Sequence, residues 1–99
     1  MEDITVAELK YKMDKGDNFV FIDVREPYEF EQFNLGARLI PLGELEATLP
    51  ELKDYKDTEV IVHCKSGVRS GFAKQIMLAA GFSRVRNLLG GVMEWQRVY

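Results

Sequence analysis

The chain has 99 residues, a net charge of −3 and one cysteine, and these facts already narrow its chemistry. The length fits one domain, 1–99, that buries about two-thirds of its unfolded surface without disulfide staples. The weakly acidic balance argues against the broad basic footprint of a nucleic-acid binder, and 46% hydrophobic with 29% charged residues argues against disorder. A single cysteine cannot close an internal disulfide and suits a reducing compartment; with only one histidine beside it, a zinc centre is not expected. No apolar run nears the roughly 18 residues of a membrane span, and the acidic start Met1-Glu2-Asp3 does not read as a signal or transit peptide. The expectation is a cytoplasmic protein with no metal, no cofactor, and neither nucleic acid nor membrane as a partner.

Thr5 followed by Glu8 predicts a capping box at the start of a first helix, with Leu9 and Met13 one turn apart. Gly16-Asp17-Asn18 closes it with turn chemistry. Phe19 to Asp23 is a continuous apolar run ending in a charge, as expected of a strand covered on both faces. Pro27 suits a first helical position, with acids near the positive end of the dipole. Ala37 to Ile40 reads as a short strand stopped by Pro41, and Leu42 to Leu49 as a short helix. Glu59 to Cys64 is the second strong strand. From Ser66 to Ala80 the spacing of Val68, Phe72, Ile76 and Ala79 predicts a helix, with Gly81 just past its end. Arg84 to Leu88 is a last strand, and Gly90-Gly91 turns into a helix over Val92 to Val98. Strands alternating with helices predict a largely parallel sheet with helices on both faces, binding ligands beyond the carboxyl ends of its strands. Cys64 lies at such an end.

The segment Cys64-Lys65-Ser66-Gly67-Val68-Arg69-Ser70 runs from a strand straight into a helix. Gly67 lets the backbone curl, small serines leave a concavity open, and successive amides point inward at a helix N-terminus. That is an anion cradle. Lys65 and Arg69 add positive charge beside the thiol. Each unit of pKa lowering needs about 1.4 kcal/mol, and a helix terminus supplies up to about 2 kcal/mol. Nearby cations supply more, so a reactive thiolate forms without a general base.

The sequence resembles the rhodanese family of sulfurtransferases, as a single-domain member. Asp23-Val24-Arg25-Glu26-Pro27-Tyr28-Glu29-Phe30, Gly36-Ala37 with Ile40-Pro41-Leu42, the Cys64–Ser70 loop, and Gly90-Gly91-Val92-Met93-Glu94-Trp95 fall in the family's order over nearly the whole chain. The resemblance implies an α/β fold with a five-stranded, mostly parallel sheet flanked by helices on both faces. It also implies a persulfide on Cys64, loaded from thiosulfate or another small-molecule sulfane-sulfur donor and discharged to cyanide, a thiol or a sulfur-relay protein. Carried over by position, the amides from Lys65 through Ser66, Gly67 and Val68 to Arg69 hold the outer sulfur, Arg69 closes the loop, and Asp23 and Arg25 orient the cradle. Four residues separate Cys64 from Arg69, whereas the cysteine phosphatases of this fold resemble one another in having five. A tighter loop suits one sulfur atom better than a phosphate. A non-catalytic sulfur carrier is the second reading, and a phosphatase or arsenate-reductase-like enzyme the third. Gln32-Phe33-Asn34-Leu35 replaces the Gly-His-Ile-Pro stretch of many relatives, which is read as altered packing.

Strand alternation sends His63 to the face opposite Cys64, so it is assigned a structural role rather than that of a base. Trp95 with Met93, and Phe30 with Phe33, are expected to pack inward, and Arg84 and Arg86 to be solvated rim charges.

Overall fold

Four strands form one sheet in the order β2-β1-β3-β4, every pairing parallel. They are β1 (Val20–Asp23), β2 (Arg38–Leu39), β3 (Val60–His63) and β4 (Val85–Asn87) in a computed structural model that describes residues 1–99. Every residue of β3 is buried, so its sequence has no polar side to alternate with.

Side chains of β3 divide two cores. Val60, Val62 and Cys64 join Ile22, Val24, Leu45, Ala73 and Met77 on one face, under α3 (Leu45–Thr48) and α4 (Val68–Ala79). Ile61 joins Ile4, Val6, Leu9 and Leu88 on the other, under α1 (Val6–Lys15) and α5 (Gly91–Val98), with Phe21 and Trp95 packed against them. The short α2 (Pro27–Gln32) follows β1 with Pro27 in its first turn. No helix is long and apolar enough to cross a membrane.

The sheet has four strands rather than five. Where a fifth would lie, only Ile4 pairs, in an isolated parallel bridge to Leu88. Thr5 already caps α1, its hydroxyl accepting from the Glu8 amide at 3.1 Å, so the helix begins before a ladder can extend. The segment after Pro41 also departs from a single helix. α3 is flanked by 3₁₀ turns over Leu42–Glu44 and Leu49–Tyr55, and Pro50 has no amide proton with which to continue an α-helical ladder.

In α4 the stripe that marks the helix in sequence is not the buried face. Ser70, Ala73 and Met77 point inward, while Val68 and Phe72 are 65% and 62% exposed. Small inward residues let the first turn of α4 close on the end of β3. Met93 is exposed rather than packed inward. Arg86 is not a free rim charge either: its guanidinium meets Glu59 at 3.0 Å and Glu8 at 3.3 Å, and Glu59 also binds Lys12 at 3.0 Å.

Candidate active site

β1 and β3 lie in register, with Asp23 opposite His63, so the turns that leave them sit side by side. From β3 the chain enters the Cys64–Ser70 loop. Gly67 caps α4 with φ of +102°, a left-handed conformation that a β-carbon would strain. That turn aims the Gly67 amide at the thiol, donating to Cys64 Sγ at 3.1 Å. The Ser70 hydroxyl lies 3.3 Å from the same sulfur and 2.6 Å from Asn87 Oδ1, so two acceptors compete for its single proton. Cys64 itself is 1% exposed, at the floor of the loop. Burial pushes its thiol up, but hydrogen bonds from the Ser70 hydroxyl and from the amides of Ser70, Gly67 and Ser66 outweigh burial, and the thiol titrates below its ordinary value.

Two neighbours hold the loop in this shape. Asn87, at the end of β4, donates from Nδ2 to the Gly67 carbonyl at 3.0 Å while accepting from Ser70. The first turn of α5 takes the outward carbonyls: Val92 N–H donates to Cys64 O and Met93 N–H to Lys65 O, both at 3.0 Å. With those carbonyls turned away, the amides that follow are free to face the sulfur. The approach requires Gly91, where a β-carbon would lie 2.5 Å from Cys64 O and 2.6 Å from the Lys65 carbonyl.

Arg69 makes a two-pronged pair with Glu29 of α2, at 2.7 and 2.9 Å, and so ties α2 to the loop, while its charge still lies close enough to Cys64 to interact with it. The Arg69 guanidinium beside it holds the Glu29 carboxyl down at about 2. Lys65 is exposed and forms no ion pair. Asp23 and Arg25 form a buried pair, Nη2 to Oδ2 at 2.8 Å, and Arg25 Nη2 also donates to Phe33 O at 2.7 Å, anchoring the far end of α2. His63 lies on the other face against the Phe21 ring, centroids 5.3 Å apart, and burial pushes its imidazole down despite Asp23 at 3.7 Å. It does not reach the thiol.

Ser70 was legible as a loop residue but not as a partner of the sulfur. Asn87 was not singled out, and Glu29 and Gly91 stood only within signature stretches with no role of their own, because each acts through a contact distant in sequence. The side chains of Ser66 and Val68 are turned out of the loop's interior and exposed. A cavity of about 510 Å³ opens at the other end of α4, lined by Leu49, Pro50, Ile76, Phe82 and the lysines Lys53 and Lys56.

A parallel α/β sheet whose central strand delivers one cysteine into an amide-lined loop at a helix N-terminus defines a class of thiolate proteins. Within that class the chain belongs to the rhodanese-like domain family, whose profile matches residues 5–98. It is 38% identical over 100 residues to the "Probable adenylyltransferase/sulfurtransferase MoeZ" of Mycobacterium tuberculosis, a match covering 95% of this chain but 24% of that protein. A sulfurtransferase of Allochromatium vinosum is 29% identical over 98 residues, covering 98% of this chain and 90% of that one. The fold matches the human single-domain sulfurtransferase TSTD1 with a TM-score of 0.85 at 23% identity, over 98% of this chain and 96% of that one.

Proposed function

We propose that the chain is a sulfurtransferase that carries a sulfane sulfur as a persulfide on Cys64. The Cys64 thiolate attacks the outer sulfur of thiosulfate; the sulfur–sulfur bond of the donor breaks, and sulfite leaves with the electron pair. A thiophilic acceptor, cyanide or a thiolate, then attacks the outer sulfur of the persulfide, and Cys64 departs as thiolate. Hydrogen bonds from Gly67 and Ser70 make the cysteine sulfur a good nucleophile in the first step and a good leaving group in the second. The amides from Lys65 to Arg69 surround the outer sulfur, Arg69 and Glu29 keep the loop closed, and Asp23 with Arg25 positions α2. Lys65, exposed at the mouth, attracts an anionic donor.

The observation that carries this reading is the convergence of amides and one hydroxyl on a sulfur at the floor of a closed loop. A single atom fits such a place. The loop need take up only the outer sulfur of thiosulfate, whereas a phosphate or arsenate would have to enter it as a whole tetrahedral group, so phosphatase or arsenate-reductase chemistry ranks lower. The near-complete burial of Cys64 favours one second reading, a carrier that is loaded by a partner and turns over small donors slowly.

Intact mass after incubation with thiosulfate tests the persulfide: a gain of one sulfur is expected, removable by a reductant and absent in Cys64→Ser. A cyanide-plus-thiosulfate assay separates enzyme from carrier, since only the enzyme forms thiocyanate repeatedly. Activity retained in Cys64→Ser would dispose of the nucleophile assignment.

A further inference from the structure

The outward face of α4 has no role in the chemistry above, yet it carries an exposed apolar stripe beside the site. Val68 and Phe72 stand one turn apart and open to solvent, and Ile76, half-buried against the core, continues the line at the next turn. α4 has 12 residues and spans about 18 Å. The line starts in the Cys64 loop and ends at the 510 Å³ cavity floored by Ile76, Leu49, Pro50 and Phe82. An exposed phenylalanine continuous with an apolar hollow marks an interaction surface rather than a scattered surface hydrophobe.

Charge says what kind of partner fits. Lys10, Lys12, Lys15 and Lys74 each lie within ion-pair distance of a carboxylate. Lys53, Lys56 and Lys65 pair with none, and these three mark the two ends of the stripe: Lys65 at the loop, Lys53 and Lys56 at the cavity, where Glu46 is the one acid in the lining. A small anion would need one such cation, not a set divided across the length of a helix.

We propose that this face docks a sulfur-relay protein through an apolar segment flanked by acidic residues, laid along α4 so that its thiol or persulfide reaches Cys64. The proposal rests on the persulfide reading and adds the identity class of the macromolecular donor or acceptor. Apolar contact supplies affinity, and the lysines at both ends fix direction along the helix.

The test places a photo-reactive benzoyl-phenylalanine at Phe72, or at Tyr11 on α1 as control, in the full chain within an extract of the source cells. A protein adduct is expected from position 72 and not from position 11. That protein, purified, should exchange sulfur with Cys64, and Phe72→Glu and the double variant Lys53→Glu/Lys56→Glu should each raise its apparent KM at least tenfold. Both variants should load sulfur from thiosulfate as the native chain does, which also shows that they fold. Adducts only with a second copy of this chain, no adduct, equal labelling from Tyr11, or unchanged transfer by the variants would each overturn the proposal. A native chain that takes sulfur from no donor would instead sink the persulfide reading, a distinguishable failure.

Discussion

β1 and β3 run side by side in register, and each ends in a group able to carry negative charge, Asp23 on one and Cys64 on the next turn of the other. Their surroundings differ in one respect. Around Asp23 the chain supplies a full positive charge, the Arg25 guanidinium at 2.8 Å, with the Arg25 amide donating to the same carboxylate at 3.0 Å. Around Cys64 every donor in contact with the sulfur is a neutral dipole, amides and one hydroxyl that it shares with Asn87, and the nearby Arg69 charge is engaged by Glu29. An anion matched by a buried cation is a structural part, neutralised and immobile. A thiol met by dipoles is eased toward its anion without being neutralised, and so keeps the lone pairs that a nucleophile needs.

The contrast can be broken from either side. Asp23→Asn leaves Arg25 buried without its counter-charge and should cost the most, about 3–5 kcal/mol of stability in urea unfolding. Ser70→Ala removes a hydrogen bond to a charged acceptor, an effect on the order of 1.5–3 kcal/mol, and should move the thiol's titration upward when followed by ultraviolet thiolate absorbance. If that midpoint stays put, the hydroxyl serves Asn87 alone. Gly91→Ala should cost about 1–3 kcal/mol through its positive φ, and, since its new methyl group displaces the loop backbone, slow sulfur uptake as well.

The smallest effect belongs to Glu29. Its carboxyl, held at about 2 by Arg69 against an ordinary 4.5, contributes stability that is complete above about 4.5 and is lost as pH falls from there through about 2. Glu29→Gln should flatten that part of the stability curve relative to the native chain, and cost on the order of 1 kcal/mol at neutral pH, since the pair is two-pronged but a third of the Arg69 side chain is open to solvent.

Much of this was readable from the chain alone, and what was readable was local. The Thr5–Glu8 box, the Gly16 stop, Pro27 at the start of α2, and β3 as a doubly covered strand follow from residues within one turn of each other. His63 was placed opposite Cys64 by strand alternation alone. The fifth strand came from the family resemblance alone; the chain's own pattern gave four strands and a helix opening at Thr5, as the structure has it. The stripe on α4 was read as helical and is helical, but periodicity does not say which of two faces turns inward. Ser70 and Ala73 do so because smallness brings the helix near the sheet. The cations were assigned to the thiol because they are its neighbours in sequence. In space Arg69 has a better partner, 40 positions away, in Glu29.

The dependence of the loop on α5 has a practical meaning for anyone wishing to transplant it. Grafted into another strand–helix junction, positions 64–70 would bring a thiol but leave its reactivity behind, since the carbonyls at 64 and 65 would no longer be drawn outward by a glycine-led helix. The smallest portable unit is therefore a discontinuous one, two stretches of chain that must travel together.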